Sequence, residues 1–465
     1  MKKKLKGLAL GDDIRFFTGV ARALKEIIVN TATTIDWVQI GGARNHPEPN
    51  TIVNYKDVCK IIPSPQGYGS ADMIRKVFEE EKPDFVFFIT DPRHFYDLFS
   101  VEYEVRQFIP YIYYNIWDNY PIPKYNYPFY KSCDALVCIN SQTKNIIENL
   151  LLPEDKASRI IAFVPHGVDD TTFKHKKLNL TQIKDLMKKS MGDKYNHYKD
   201  IVESLPRKKV FLWVGKNQHR KHPLDMIYAY YTACSKDENF KNNTVLIMHT
   251  NPIAEEGSDL IQAQLQLKNE YGSANILFTD NGLLSDEDLA VLYNTADAFI
   301  NNSNAEGFGL PVLEAVMSGV PVLHTVTGGI QDQFPYKKTW DEDSAHKSRH
   351  LDLQKGLVKQ FECNYEDEYI GKEWSIPMYA DASTMIGAII TPYIYEDRIS
   401  VITLSNGLLK MYENIDILKH NAQTYGASYV RTRFTNKIMA NDIYEVIEKT
   451  VSNFEPRQEL SIYRY

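Results

Sequence analysis

Cysteine is scarce in this chain: Cys59, Cys133, Cys138, Cys234 and Cys363 are the five among 465 residues. Cys59, Cys234 and Cys363 lie far from the others, and Cys133 and Cys138 have no second pair to complete a zinc site, so neither a disulfide scaffold nor a structural zinc is indicated. The odd number leaves at least one free thiol, which fits a reducing compartment, and a cytoplasmic location is expected. Long apolar runs are missing too. None approaches the roughly 18 residues of a spanning helix. The apolar stretch after the basic start MKKKLKG is broken by Gly7 and is too short for a signal-peptide core. A peripheral position at a membrane surface stays open. There is no basic excess: 53 Lys and Arg face 60 Asp and Glu, a formal charge of −7. General nucleic-acid binders are usually basic, so any polyanion contact would be local. Neither an internal repeat nor a low-complexity tract occurs. With 43% hydrophobic and 24% charged residues the composition is globular, which argues against disordered and fibrous classes. Aromatics are plentiful, with 30 Tyr and 21 Phe, enough for a large aromatic core or a stacking-rich cleft.

At about 100–200 residues per domain, the length suggests two to four domains. Continuous apolar runs at 5–10, 35–40, 85–90, 109–116, 135–139 and 161–164 read as parallel strands buried on both faces. Helical patterns at 19–29, 70–81 and 141–151 separate them. A second series follows, with strands at 210–214, 245–249, 276–278, 298–300 and 320–324 and helices at 223–234, 259–271, 286–293 and 311–318. The expected fold class is α/β: two Rossmann-like, doubly wound domains facing a central cleft. The expected N-terminal domain is 1–205, with a polar Lys-rich linker at about 171–209. The C-terminal domain is expected at 206–420, interrupted by a charged, aromatic insertion at about 331–395. Residues 421–465 are expected to be helices that return to the N-terminal domain.

The densest information lies in NNSNAEGFGLPVLEAVMSGVPVLHT, residues 301–325. It reads as strand, loop, helix, turn, strand. The glycines of Glu306-Gly307-Phe308-Gly309 allow a ligand close to backbone N–H groups. Pro311 suits the first turn of a helix, and Gly319 followed by Pro321 suits its end. The helix start then offers free N–H groups and a positive dipole end to an anion. Glu314 is expected in the first turn, where its carboxylate can accept two hydroxyls, as a ribose diol would offer. Glu306, on the loop ahead, can accept hydroxyls of a second group.

This pattern, E-G-F-G-L-P-x-x-E-A-x-x-x-G-x-P-V over 306–322, closely resembles the signature of glycosyltransferase family 4, retaining enzymes of the GT-B fold. The two glutamates stand eight positions apart, as that family's E-x7-E element requires. The resemblance implies that Glu306 lies near the donor sugar and that Glu314 binds the nucleotide ribose. It also implies that Gly307, Phe308, Gly309 and Leu310 face sugar and phosphate. The segment VFLWVGKNQHRKHP resembles the family's V-G-R-x4-K-G, whose basic pair neutralises the donor diphosphate. Lys216 and Lys221 hold those positions, with Arg220 adjacent. Lys replaces Arg, offering a point charge rather than a bidentate fork, and His222 replaces Gly.

Weaker likenesses extend into the first domain. VPHGVDDTTFK, residues 164–174, resembles the family's N-G-V-D-x-x-x-F, with His166 in place of Asn. FTGVARAL, residues 17–24, resembles the glycine-rich first turn, with Gly19 preserved and Thr18 in place of the first glycine. Trp117-Asp118 stands where many members carry a histidine near the reacting centre, and Asp118 could bind the sugar or orient the acceptor hydroxyl. FITDPRHFYD brings Asp91, Arg93 and His94 to another strand end. His94, Trp117 and His166 are candidate acceptor or sugar contacts, each with a structural alternative. IMHTNP, residues 247–252, departs from the glycine-rich turn usual after the second strand of the C-terminal domain.

The resemblance implies metal-independent transfer from a nucleotide-diphosphate sugar to an acceptor hydroxyl of a glycan, a lipid-linked sugar or another molecule. No cofactor is expected beyond the donor, and no metal. No well-placed nucleophilic carboxylate emerges, and members of the family favour front-face chemistry in which the leaving phosphate takes the acceptor proton. A non-catalytic sugar-nucleotide or glycan binder on the same scaffold is one alternative. A transferase acting on modified bases of DNA is another. Residues 174–189 hold six Lys against one Asp, a patch that could meet nucleic-acid phosphates, an anionic membrane or only solvent. Trp117, Tyr120, Tyr125, Trp340, Trp374 and Tyr379 suit stacking on sugars or bases, or a local core.

Overall fold

The computed structural model describes residues 4–42, 46–279, 284–337 and 365–456. They form two units. The first is Met1–Gly167 with Gly387–Ile394 and Phe434–Tyr465; the second is Val168–Ile386 with Tyr395–Arg433.

The first unit holds an eight-stranded sheet. Its strands are β1 (Leu5–Asp12), β2 (Ile35–Gly42), β3 (Val53–Tyr55), β4 (Cys59–Pro63), β5 (Phe85–Ile89), β6 (Tyr111–Asn115), β7 (Ala135–Cys138) and β8 (Ile160–Phe163). The order is β3-β4-β2-β1-β5-β6-β7-β8. Every pairing is parallel except that of edge strand β3 with β4. The six strands expected here are all present. Much of the aromatic excess is core: FVFFI of β5 and YIYYN of β6 are fully buried, and the Phe88 and Tyr113 rings stack at 4.9 Å. Burying large apolar faces on both sides of a parallel sheet is what keeps it out of water.

The second unit holds a wholly parallel six-stranded sheet. Its strands are β9 (Lys209–Val214), β10 (Thr244–His249), β11 (Ile276–Phe278), β12 (Ala298–Asn301), β13 (Val322–Thr325) and β14 (Ser375–Met378), in the order β11-β10-β9-β12-β13-β14. The helices Pro223–Lys236, Leu260–Tyr271 and Val401–Asn421 pack over it with one continuous apolar core. Further on, β15 (Ala382–Ile386) pairs with β16 (Ile394–Arg398).

Three boundaries differ from the sequence reading. The first unit ends at Gly167 rather than near 205. Helices Leu180–Met191 and Tyr195–Ser204 belong to the second unit, where the former packs against helix Asp286–Thr295 and Lys189 pairs with Asp288. The return to the first unit starts at Phe434 rather than 421, because 421–433 is held in the second unit: Gly426 lies against Trp374, and Arg431 donates to the Met317 carbonyl at 3.0 Å. Part of the expected insertion is not an insertion, since β14 completes the sheet beside β13. Its residues 338–364, with Trp340 and Cys363, lie outside the described residues. Trp374 is fully buried core and not a ligand platform.

The returning helix Asn436–Ser452 is capped by Thr435, whose hydroxyl accepts from the Ile438 N–H at 3.2 Å. It packs on helix Gly19–Thr31, with Asn436 donating to Glu26 at 2.7 Å. Its start meets Gly167 backbone to backbone, so a Cβ on Gly167 would fall 2.3 Å from the Thr435 carbonyl oxygen. Gly167→Ala should therefore cost about 1–3 kcal/mol, as overpacking does. Scanning calorimetry should show the melting transition lowered by several degrees; an unchanged transition would refute this packing.

Candidate active site

Strand order in the second sheet reverses between β9 and β12. Ligands of doubly wound sheets bind beyond the strand carboxyl ends at such a point. The chain leaving β9 carries Lys216, Arg220 and Lys221; the chain leaving β12 carries Glu306 and the glycine loop. Two cross-bonds tie the segments together. Trp213 of β9 donates to the Asn302 side chain at 2.9 Å, and Asn302 donates to the His222 carbonyl at 2.9 Å.

Glu306 is the centre of this arrangement, only 5% exposed. Lys221 bonds its Oε1 directly. Ser303 donates to the same oxygen at 2.8 Å and Asn301 at 3.3 Å, while Arg220 stands 3.5 Å from Oε2 and donates to the Ala305 carbonyl at 2.9 Å. Burial pushes the carboxyl pKa up, but the charges of Lys221 and Arg220 outweigh it and hold Glu306 down at about 2. The site therefore keeps an ionised carboxylate against two cations in a largely dry setting.

The glycine loop is shaped by a neighbour that the motif does not include. Gly309 adopts φ +85 and stands at the N-cap of helix Leu310–Met317, which has no side-chain cap. Gln333 donates to the Phe308 carbonyl at 2.6 Å. After β13, Gly328 takes φ +44, and a Cβ there would fall 1.9 Å from the Glu306 carbonyl oxygen, the same oxygen that accepts the Gly329 N–H at 3.1 Å. The two loops thus pack backbone on backbone, which only glycine permits. The double glycine of Thr327-Gly328-Gly329 was the available signal, and the sequence reading passed over it. It also passed over Asn301 and Ser303, although the polar run at the end of β12 marked them.

The other expected residues divide. Gly307 and Leu310 are half-buried at the loop, whereas Phe308 is buried. Glu314 is not in the first helical turn but one turn further in, and is 1% exposed. Tyr293 donates to its Oε2 at 2.7 Å. Lys216 is not brought to Glu306; its side chain, 66% exposed, pairs with Glu256 at 2.8 Å. His222 takes the left-handed conformation, φ 49, which explains why glycine suits that position in the pattern it resembles. Its Nδ1 lies 3.2 Å from Asp225, whose Oδ2 also accepts from Arg398 at 3.0 Å.

In the first unit, Gly19 opens helix Gly19–Thr31 behind the cap Thr18, and a Cβ there would meet nothing within 4 Å. His94 is exposed. Arg93 bonds Asp91 and lies 5.3 Å from the rings of both Trp117 and Tyr125. Trp117 is buried, donating to the Asn119 carbonyl at 2.7 Å, and Asp118 is half-buried. His166 is buried, its Nδ1 3.0 Å from the Tyr114 hydroxyl, and burial lowers its pKa to about 3. It is a neutral core histidine in this arrangement.

Comparison with known proteins bears on this site directly. Residues 196–339 match the family model described as "Glycosyl transferases group 1". The matched segment makes up less than half of the chain. It contains the whole Lys221–Glu306 cluster and the Gly328 loop. The mannosylfructose-phosphate synthase of Agrobacterium fabrum is 24% identical over 202 residues, which are 43% of this chain and 39% of that protein. An uncharacterised glycosyltransferase of Sulfolobus islandicus rod-shaped virus 1 is 23% identical over 299 residues, 61% of this chain and 76% of that protein. The chain thus spans well under half of the first relative and about three quarters of the second. Among solved structures, the sucrose-phosphate synthase of Thermosynechococcus elongatus superposes with a TM-score of 0.65 at 12% identity, covering 97% of this chain and all of that one. HepE of Anabaena, solved with UDP and glucose, gives 0.62 at 13% identity over 96% of this chain and all of that one. The fold is GT-B.

The lowered Glu306 pKa carries a sign. A folded pKa of about 2 against an ordinary 4.5 contributes stability that is present above about pH 4.5 and lost as pH falls through 2. The shift corresponds to roughly 3 kcal/mol. Glu306→Gln should be less stable than wild type at pH 7, and the gap should narrow from pH 5 downward in chemical denaturation. A gap independent of pH would refute the ionised, ion-paired assignment.

Proposed function

We propose that this protein is a retaining glycosyltransferase that moves a sugar from a nucleotide-diphosphate donor to an acceptor hydroxyl without a metal. The single observation that carries the reading is the buried Glu306 held by Lys221 and Arg220 at the switch point of a group 1 glycosyltransferase segment. The donor diphosphate would lie toward Lys221, Arg220 and the uncapped helix start at Leu310, where charge and aligned N–H groups favour an anion. Glu306 would accept hydroxyls of the sugar and orient Lys221.

The chemistry we propose is the front-face route that the family resemblance implies. The acceptor hydroxyl attacks the anomeric carbon on the face from which the diphosphate departs. The bond from that carbon to phosphate oxygen breaks, the new glycosidic bond forms, and the acceptor proton passes to the leaving phosphate. Configuration is kept. The protein supplies positioning and a preorganised positive field for the departing charge. We assign acceptor recognition to the first unit, at the strand ends that carry His94 and Asp118. Glu314 supports a ribose contact less directly, since Tyr293 already holds one of its oxygens. The mannosyl and UDP-linked names among the relatives and solved structures make nucleotide-linked mannose and glucose the first donors to test.

The test is incubation with a panel of nucleotide sugars, with released nucleotide read by mass spectrometry. The expected result is nucleotide release from one donor, reduced at least about 100-fold in Glu306→Ala and Lys221→Ala. Lys216→Ala should lose far less, because its exposed pair with Glu256 stands apart from Glu306. No turnover of any donor, with retained nucleotide binding, would favour the non-catalytic reading. Equal loss in the Lys216 and Lys221 variants would overturn the assignment of the phosphate contact.

A further inference from the structure

The Lys-rich stretch 174–189 is not absorbed by the proposed transfer, and the structure divides it in two. In helix Leu180–Met191 the lysines are committed locally. Lys184 pairs with Glu203 at 2.8 Å, Lys188 lies 5.7 Å from the centre of the Tyr195 ring, and Lys189 bonds Asp288. No continuous basic stripe remains along that helix for a rod-like polyanion. The other half behaves differently. Lys176 and Lys177 converge with Arg207, Lys208, Lys209 and Lys419 around a recess of about 540 Å³.

The recess is built at the opposite edge of the second sheet from Glu306. Lys209 is the first residue of β9, and Asn243 and Asp297 immediately precede β10 and β12; all three line it. Glu306 follows the other end of β12. The six residues of β9 separate the two edges by roughly 20 Å, so this recess is distinct from the proposed donor site.

Its cations fall into two tiers. Three are half-buried and held by the protein: Lys208 on the Asn242 carbonyl at 2.7 Å, Lys209 on Asp416 at 2.5 Å, and Lys419 on Asp297 at 2.6 Å. The side chains of Lys176, Lys177 and Arg207 are exposed and make no hydrogen bond or ion pair among the described residues. His175 also lines the recess, its pKa lowered by desolvation first and then by the Lys419 charge. Leu178, Leu205 and Tyr412 supply apolar wall. A volume of this size is that of a small-molecule site, about 300–1,000 Å³, and three unpaired cations at its rim match an anion of several charges.

We propose that this recess binds a small phosphorylated molecule carrying two or more negative charges, with the phosphate oxygens on Lys176, Lys177 and Arg207 and the remainder against Tyr412 and Leu178. It is an anion site separate from that of the donor.

The experiment is calorimetric titration of the full chain with inorganic tripolyphosphate at low salt. Wild type should bind it, more weakly as salt rises. The double variant Lys177→Gln with Arg207→Gln should bind it at least tenfold more weakly at this site while melting as wild type does. Lys221→Ala, altered only at the donor site, should keep the site lost in the double variant. Single variants Lys177→Gln and Arg207→Gln, each expected to weaken binding severalfold, carry the test if the double variant is unstable. Unchanged binding in these variants, or loss only in Lys221→Ala, would overturn the proposal. A second arm offers vesicles of phosphatidylcholine and phosphatidylglycerol. Recess-dependent co-sedimentation without tripolyphosphate binding would overturn it in favour of a lipid surface. Absence of recess-dependent co-sedimentation, with tripolyphosphate bound, supports it. Because the readout is binding, its failure is distinguishable from failure of the transferase reading.

Discussion

A carboxylate buried to 5% exposure must be neutralised or it will not stay charged. Much of the second unit's carboxyl edge follows from meeting that constraint at Glu306. Lys221 and Arg220 have to come from the segment after β9 and Ser303 and Asn301 from the end of β12, while the Gly328 loop, from the end of β13, packs on the Glu306 backbone. The sheet order that places β12 between β9 and β13 brings all three there. The Trp213–Asn302–His222 chain of hydrogen bonds then fixes how far the basic loop can move from the glutamate. A site assembled in this way is stiff, and stiffness is what catalysis by positioning requires.

The two edges of the same sheet are used differently. At the carboxyl edge, cations are matched by a buried carboxylate, Glu306, four residues ahead of a helix start that has no side-chain cap. At the amino edge, three cations ring a recess without carboxylate partners among the described residues. Both are positive regions within a chain of net charge −7, so the chain concentrates positive potential at particular places while remaining acidic as a whole. Local concentration of one sign is the feature that recruits anions.

Patterns of hydrophobicity carried most of the fold. The eleven parallel strands read from continuous apolar runs are present; a strand buried on both faces leaves such a run, and edge strand β8, half-buried, kept one as well. The strands that escaped are short or lack buried residues: β3 at an edge, β15, which is mostly exposed, and β16, which is mostly half-buried. β14 escaped because it follows a long charged segment, and its burial depends on a neighbour, β13, some fifty residues earlier. The limits of the units were misplaced for a similar reason. A polar, Lys-rich stretch looks like a linker until its few apolar residues are seen packed on helix Asp286–Thr295.

By itself the sequence determined two α/β units, the glycine loop with its two glutamates, and the presence of basic residues after β9, because each is local in the chain and governed by spacing or burial pattern. Only the tertiary structure decided which basic residues count. Lys221 reaches Glu306 across 85 positions of chain while Lys216, five residues away, turns to Glu256. Likewise Glu314 is committed in part to Tyr293, His166 is closed into the core of its unit, and the lysines of 174–189 split between local ion pairs and a recess. Each outcome is set by which strand lies beside which and by how deeply a side chain is buried, and neither strand order nor burial depth is written in the spacing of residues along the chain.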